Sequence, residues 1–357
     1  MINQQKITID WIQAVSQNNR NADKILVEKV IRALLLLEGL VKQKLPFVFK
    51  GGTSLMLHFN STRRLSIDID IILPEAQTNL EELLEQVVKE QGFIRNELQH
   101  RSTHTKIIKE HYKFFYIPLH KTNKEEEYVL LDILFEATSY TNLIQLPILS
   151  SFTPIKEEPL MVVVPSLEDL LGDKLTAFAP NTTGIPYFKN EDSMSMEIIK
   201  QLYDIGNLFD VVTDVKTIKK TFNYFAKTEL DYRSLSELNE QDVLDDIYQT
   251  SLCIASKGLD GKGNFEELQL GIRRITNFIF SENYHLEKTV THASKAAYMA
   301  TILKYNENTI EKYTTPALLK DWTITEPLNN KLNKLKKSNT EAFFYWYKIY
   351  NLTIQHT

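Results

Sequence analysis

The chain has 357 residues, with 41 Lys and Arg against 46 Asp and Glu, a formal net charge of −5 and 43% hydrophobic residues. That length exceeds one ordinary core, so two domains are expected, and the acidic balance excludes a globally basic nucleic-acid binder while leaving room for a local cationic patch. The one cysteine, Cys253, excludes an intramolecular disulfide and a thiolate metal site.

The chain opens on a polar stretch, 1–6, without the charged and then apolar layout of a secretory signal. A helix is expected over 23–44, where Ile25, Leu26, Val30, Leu34, Leu37, Leu40 and Val41 recur at helical spacing. Its apolar run, 31–41, contains Arg32 and Glu38 and is too short to cross a bilayer, so a cytoplasmic location without membrane contact is expected. Pro46 ends the helix and a buried strand starts at Phe47. Gly51-Gly52 breaks that strand, and Thr53 or Ser54 is placed to cap a helix running to His58. An isoleucine-rich strand follows over 65–73, then a helix over 79–91 stopped by Gly92. Strands are expected near 105–109 and 112–118, a turn at 125–127, and strands over 128–135 and 160–164. From Ser166 the pattern turns helical, with helices near 167–179, 194–212, 215–228, 240–256, 264–280 and 289–304, and an exposed loop over 180–193. The fold class this predicts is α/β (α+β): a mixed-sheet domain over 1–165, then a mostly α-helical domain over 166–357.

The stretch from Arg64 to Ile72 carries the chemistry. Side chains alternate along a strand, so Leu65, Ile67, Ile69 and Ile71 form a core face while Ser66, Asp68 and Asp70 share the other. Two carboxylates so close disfavour each other's ionisation unless a cation lies between them. Oxygen donors of this kind suit Mg²⁺, which takes a couple of carboxylates plus substrate phosphates. Asp132 interrupts the otherwise apolar run 128–135, where an unpaired charge would cost several kcal/mol. Metal ions shared by Asp68, Asp70 and Asp132 would offset that cost, which gives a three-carboxylate, two-metal centre as the expectation. A solvated acidic face is the blander account of the Asp-Ile-Asp pattern taken alone.

The run Phe49-Lys50-Gly51-Gly52-Thr53-Ser54-Leu55 reads as strand, glycine turn and helix start. Backbone amides at a helix start bind phosphate, glycine allows close approach, and Thr53 and Ser54 add hydroxyl donors. A short helix separates this turn from the acidic strand, so the two can lie side by side. Arg64 is open to two readings, a phosphate contact or a packing ion pair to the acidic strand.

Gly51-Gly52-Thr53-Ser54-Leu55 followed by Arg64, Ser66, Asp68 and Asp70 resembles the first motif of nucleotidyltransferases of the DNA polymerase β superfamily. In detail it looks like the AbiEii-type branch, which includes abortive-infection toxins and the related MenT toxins. The run 167–177 is similar to that branch's lysine-bearing helix, and 200–208 to its downstream helix with a Tyr-Asp pair. The resemblance spans roughly 25–210 and carries over Lys174, to neutralise the triphosphate, and Asp204, to orient Lys174 or the metal shell. It departs at Gln201 and Leu202, where an acid-bearing run is usual, and lacks the arginine that follows the lysine helix.

What the resemblance implies is a nucleotidyltransferase that uses two Mg²⁺ ions to move an NMP from an NTP to an acceptor hydroxyl. Asp68, Asp70 and Asp132 would be the metal ligands, and Asp132 would help remove the hydroxyl proton. Gly51, Gly52, Thr53, Ser54, Arg64, Ser66 and Lys174 would form the nucleotide site, and the helical domain would contribute to the nucleotide and acceptor cleft. The implied acceptor is RNA, chiefly a tRNA 3′ end, in a toxin restrained by a cognate antitoxin and serving phage defence. The alternatives are a small-molecule acceptor such as an aminoglycoside, and a non-catalytic nucleotide-binding, antitoxin-like module. Three retained carboxylates argue against the last.

Two basic stretches complete the reading. Arg101, Lys106, Lys109, Lys113, Lys121 and Lys124 lie just before the Asp132 strand, with His100, His104, His111 and His120 among them. They fit either a surface for RNA or triphosphate or a solvated sheet edge, and the histidines lack the spacing of a metal site. Lys331, Lys334, Lys336 and Lys337 read as a solvated helix face.

Overall fold

The computed structural model describes residues 1–59, 63–74, 79–99, 108–120, 123–315 and 319–356. It divides into two units, one of Met1–Ser166 with Asn277–Asn283 and one of Leu167–Thr276 with Tyr284–Thr357. The class is mixed α/β followed by a helical C-terminal region.

In the first unit, α1 (Ile9–Asn18) starts at Thr8, whose side chain accepts from the Trp11 amide. Helix α2 (Lys24–Lys42) starts at Asp23, which takes the amides of Ile25 and Leu26. Each such cap satisfies amides that have no intrahelical carbonyl, a contribution of about 1 kcal/mol. Next come β1 (Val48–Lys50), α3 (Gly51–His58), β2 (Ile69–Leu73) and α4 (Leu80–Gln91), whose stop, Gly92, is left-handed at φ 72. Strands β3 (Arg95–Leu98), β4 (Lys109–Tyr116) and β5 (Glu127–Phe135) complete the main sheet, and β6 (Leu143–Pro147) pairs with β7 (Met161–Pro165).

The main sheet runs β1-β2-β5-β4-β3; β2 and β5 are parallel and every other pair is antiparallel. Alternation gives it two unlike faces. Phe49, Ile69, Ile71, Tyr112, Phe114, Val129, Leu131 and Ile133 are buried in the core that α2 and α4 cover. The opposite face carries Lys50, Asp70, Asp132, His111 and Lys113. Even the core side contains carboxylates, each with donors: Glu38 accepts from the Ile2 amide at 2.7 Å and Lys42 at 2.8 Å. Glu28 accepts from the Leu119 amide at 3.0 Å.

Several elements differ from the expectation. The acidic strand begins at Ile69 rather than residue 65, because the backbone before it pairs elsewhere. The Leu65 amide donates to the Phe278 carbonyl at 2.7 Å, Arg64 bridges Ile279, and Ser281 Oγ donates to the Arg63 carbonyl at 2.7 Å. The segment that holds it, Asn277–Asn283, comes from far along the chain. Helix α1 and strands β3 and β6 were not among the expected elements. The expected strand near 105–109 falls mostly outside the described residues, as do Arg101, Lys106, Lys121, His100 and His104.

The second unit opens with α5 (Leu167–Ala177), then a two-stranded hairpin, β8 (Phe188–Lys189) and β9 (Asp192–Ser193), within the expected loop. Helices α6 (Ser195–Phe209), α7 (Val215–Tyr232), α8 (Glu240–Ala255), α9 (Phe265–Ile275) and α10 (Leu286–Lys304) follow. Ala293, Ala296, Ala297 and Ala300 are buried on α10, and such short side chains let α6, α8 and α12 (Thr340–Gln355) pack around it. Ahead of α12 lies the short α11 (Leu335–Ser338), which carries part of the C-terminal lysine cluster. Among the described residues no helix is long and apolar enough to cross a membrane.

Candidate active site

The site in the first unit begins with a row of ionisable residues running across the sheet. Lys50 on β1 is the register partner of Asp70 on β2, Asp70 of Asp132 on β5, and Asp132 of His111 on β4. Register partners on adjacent strands point to the same face and stand about 4.8 Å apart. The register lines up these four as cation, carboxylate, carboxylate, imidazole.

Asp132 keeps 34% of its side chain exposed, and its Oδ1 lies 2.6 Å from His111 Nδ1. A carboxylate only accepts, so the ring donates from Nδ1. Asp70 stands against the glycine turn. Gly51 has φ +78, a conformation that side-chain-bearing residues disfavour, and a Cβ there would overlap Asp70 Oδ2. A Cβ on Gly52 would lie 2.5 Å from an Arg64 guanidinium nitrogen and 2.9 Å from Ser66 Oγ. Glycine is therefore required twice, once for backbone geometry and once for space, where α3 begins beside Asp70, Arg64 and Ser66.

Thr53 and Ser54 are fully buried and do not act as helix caps; Lys50 occupies the cap position. The Thr53 hydroxyl donates to the Asp68 carbonyl at 2.6 Å, tying α3 to the run-in of β2, and Ser54 Oγ donates to the Gly51 carbonyl at 2.8 Å. Both hydroxyls stabilise the turn from within. Arg64 is buried and donates to the Leu65 carbonyl at 3.2 Å.

The expected three-carboxylate centre is represented by a pair in register. Asp70 and Asp132 stand side by side, while Asp68 precedes the sheet. Among the described residues no three His, Cys, Asp or Glu side chains converge at the spacing of a metal site. Asp132 Oδ1 is turned to His111, and Asp70 is packed against Gly51. The donor set still fits a hard divalent cation, with all-oxygen donors from adjacent strands beside a turn that admits no side chain.

In the second unit, Lys174 on α5 and Asp204 on α6 form an ion pair at 2.8 Å, with side chains 9% and 4% exposed. Lys174 also donates to Gln201 Oε1 at 3.0 Å. Gln201, noted as a departure from the AbiEii pattern, completes the lysine's coordination. Of the basic stretch, Lys113 lies over the Tyr128 ring at 4.6 Å, on the same face as His111.

Lys50 and His111 are the members of the row that sequence reasoning did not single out. His111 stood among four histidines without metal-site spacing. Its alternation with the aromatic positions Tyr112, Phe114 and Tyr116 shows which face it occupies. Its partner depends on the β4–β5 register, which residues 117–126 do not encode through any short, defined turn.

Comparison with known proteins adds the following. The family described as nucleotidyl transferase AbiEii toxin, type IV toxin–antitoxin system, matches residues 35–257. No curated protein matches the chain. Among solved structures, JHP933 from Helicobacter pylori is similar at 17% identity and a TM-score of 0.42, over 78% of this chain and 91% of that one. A candidate nucleotidyltransferase from H. pylori is similar at 18% identity and a TM-score of 0.43, over 80% of this chain and 97% of that one.

Proposed function

The chain belongs to the AbiEii nucleotidyltransferase toxin family of type IV toxin–antitoxin systems, and from that premise we propose that it moves an NMP from an NTP onto an RNA hydroxyl, a tRNA 3′ end, in a Mg²⁺-dependent reaction. The observation that carries this reading is the Asp70–Asp132 pair in register beside the Gly51-Gly52 turn. Asp70 and Asp132, with Asp68, would hold the Mg²⁺. When bound, that cation supplies charge neutralisation at the triphosphate and at the attacking hydroxyl.

The protein's own residues do the rest. Backbone amides at the start of α3, with Arg64 and Ser66 beside them, receive the phosphates. Asp132 Oδ2, which has no partner among the described residues, accepts the hydroxyl proton as the new oxygen–α-phosphorus bond forms. The bond from the α-phosphorus to the bridging oxygen breaks, and pyrophosphate leaves. Lys174, oriented by Asp204, keeps the role of a triphosphate cation that the family resemblance gives it. A cognate antitoxin, expected of the family, restrains the activity in the cell.

Incubation with each labelled NTP, Mg²⁺ and total tRNA tests this. Label is expected in RNA with the wild type and not with Asp68→Ala. Equal labelling by both proteins would remove the catalytic assignment. Label entering an aminoglycoside and never RNA would replace the acceptor alone.

A further inference from the structure

On its β4 side the row across the sheet ends in a residue that neither the family motif nor the proposed reaction uses. His111 is the register partner of Asp132, its Nδ1 lies 2.6 Å from Asp132 Oδ1, and its side chain is 14% exposed. No other hydrogen bond or ion pair holds Asp132 among the described residues. The carboxylate is therefore oriented by a single donor, which occupies Oδ1 and leaves Oδ2 available. The arrangement is built rather than incidental: His111 stands on β4, whose alternate residues Tyr112, Phe114 and Tyr116 are anchored in the core. The backbone at His111 is also held across the sheet, by the Gln99 amide donating to the His111 carbonyl at 2.7 Å on one side and by the register with Asp132 on the other.

From this geometry we infer that His111 is a positioning residue for Asp132. By donating to Oδ1 it sets the carboxylate's rotation, so that Oδ2 is presented to the divalent cation and the acceptor hydroxyl. Outer-shell donors of this kind typically change metal affinity or activity by about 10–100-fold when removed. The inference rests on the nucleotidyl-transfer reading for the cation's role, and on the sheet register for the contact itself.

The test uses the full chain in three variants, His111→Leu, His111→Asn and Asp70→Asn, with Mn²⁺ as the probe. Mn²⁺ binding is read by electron paramagnetic resonance without nucleotide, folding by thermal melting, and transfer by labelled NTP. His111→Leu is expected to weaken Mn²⁺ binding by about 10–100-fold with its melting temperature nearly unchanged. It should lower kcat while leaving KM for the NTP close to wild type. His111→Asn, whose side-chain amide nitrogen stands where Nδ1 stood, should restore most of both losses. The inference is overturned if His111→Leu binds Mn²⁺ like the wild type, or if His111→Asn is no better than His111→Leu. Failure of the broader reading is separate. A wild type that binds no Mn²⁺ overturns both, whereas loss of Mn²⁺ in Asp70→Asn but not in His111→Leu overturns only the role of His111.

Discussion

The two units each hold a constellation of opposite charges, and they differ in how completely the protein satisfies it. Lys174 in the helical unit meets Asp204 at 2.8 Å and Gln201 at 3.0 Å, with almost no solvent exposure. In the sheet unit, Asp132 has one donor, His111, and keeps 34% of its side chain exposed. A sealed pair uses its attraction internally, and removing one partner strands a buried charge. The open row leaves the partly exposed Asp132 carboxylate on a rigid sheet, the condition for binding something from outside. Substitution should therefore separate the two.

The largest expected effect is on activity in the open row. Asp70→Asn should reduce nucleotidyl transfer by at least ~10²–10³-fold while the melting temperature stays within a few degrees of wild type. A collapse of melting together with activity would show that the row holds the fold together. Next, Lys174→Met should destabilise the protein by about 3–5 kcal/mol, because Asp204 stays buried while losing its lysine. The double change with Asp204→Leu should recover much of that loss in denaturant unfolding. Gly51→Ala should cost about 1–2 kcal/mol for the left-handed backbone and, by displacing the Asp70 carboxylate, impair transfer more than stability. Comparing the melting shift with the change in kcat checks this.

The smallest effect concerns Lys312 in the helical unit, which donates to the Phe209 carbonyl and lies over the Phe209 ring at 4.1 Å. Burial lowers its pKa to about 8. The folded state thus releases the proton at lower pH than the unfolded chain does, so this group's contribution to stability rises as pH increases from about 8 toward the ordinary lysine range. Lys312→Met should remove that trend. Melting curves of the two proteins between pH 7.5 and about 9.5 should run closer together or cross as pH rises, and parallel curves would deny the shift.

Much of this was legible in the sequence, and the remainder was not for identifiable reasons. The turn at Gly51-Gly52, the Asp70 strand and the Asp132 strand all follow local patterns of glycine and alternating apolar residues, which chain order alone reveals. The helices of the second unit follow helical spacing, although α12 was not anticipated. The position of Asp68 was misread because its strand was extended back to residue 65, where local alternation continues but the backbone pairs with Phe278 and Ile279 instead. Thr53 and Ser54 were misread because their type suits a cap equally well, and only packing shows their hydroxyls turned inward. The link between His111 and Asp132 is set by strand register across residues 117–126, a quantity no local pattern fixes.

The short return of Asn277–Asn283 has a bearing on how the enzyme is made. The latch that grips Arg63 and Leu65, immediately ahead of the acidic strand, is among the later parts of the polypeptide to be synthesised. A nascent chain paused after Ser166 would hold Asp68, Asp70 and Asp132 and still lack this clasp. Truncating the gene at the apparent boundary would release the same incomplete species, so neither half can be studied faithfully by simply cutting the chain there.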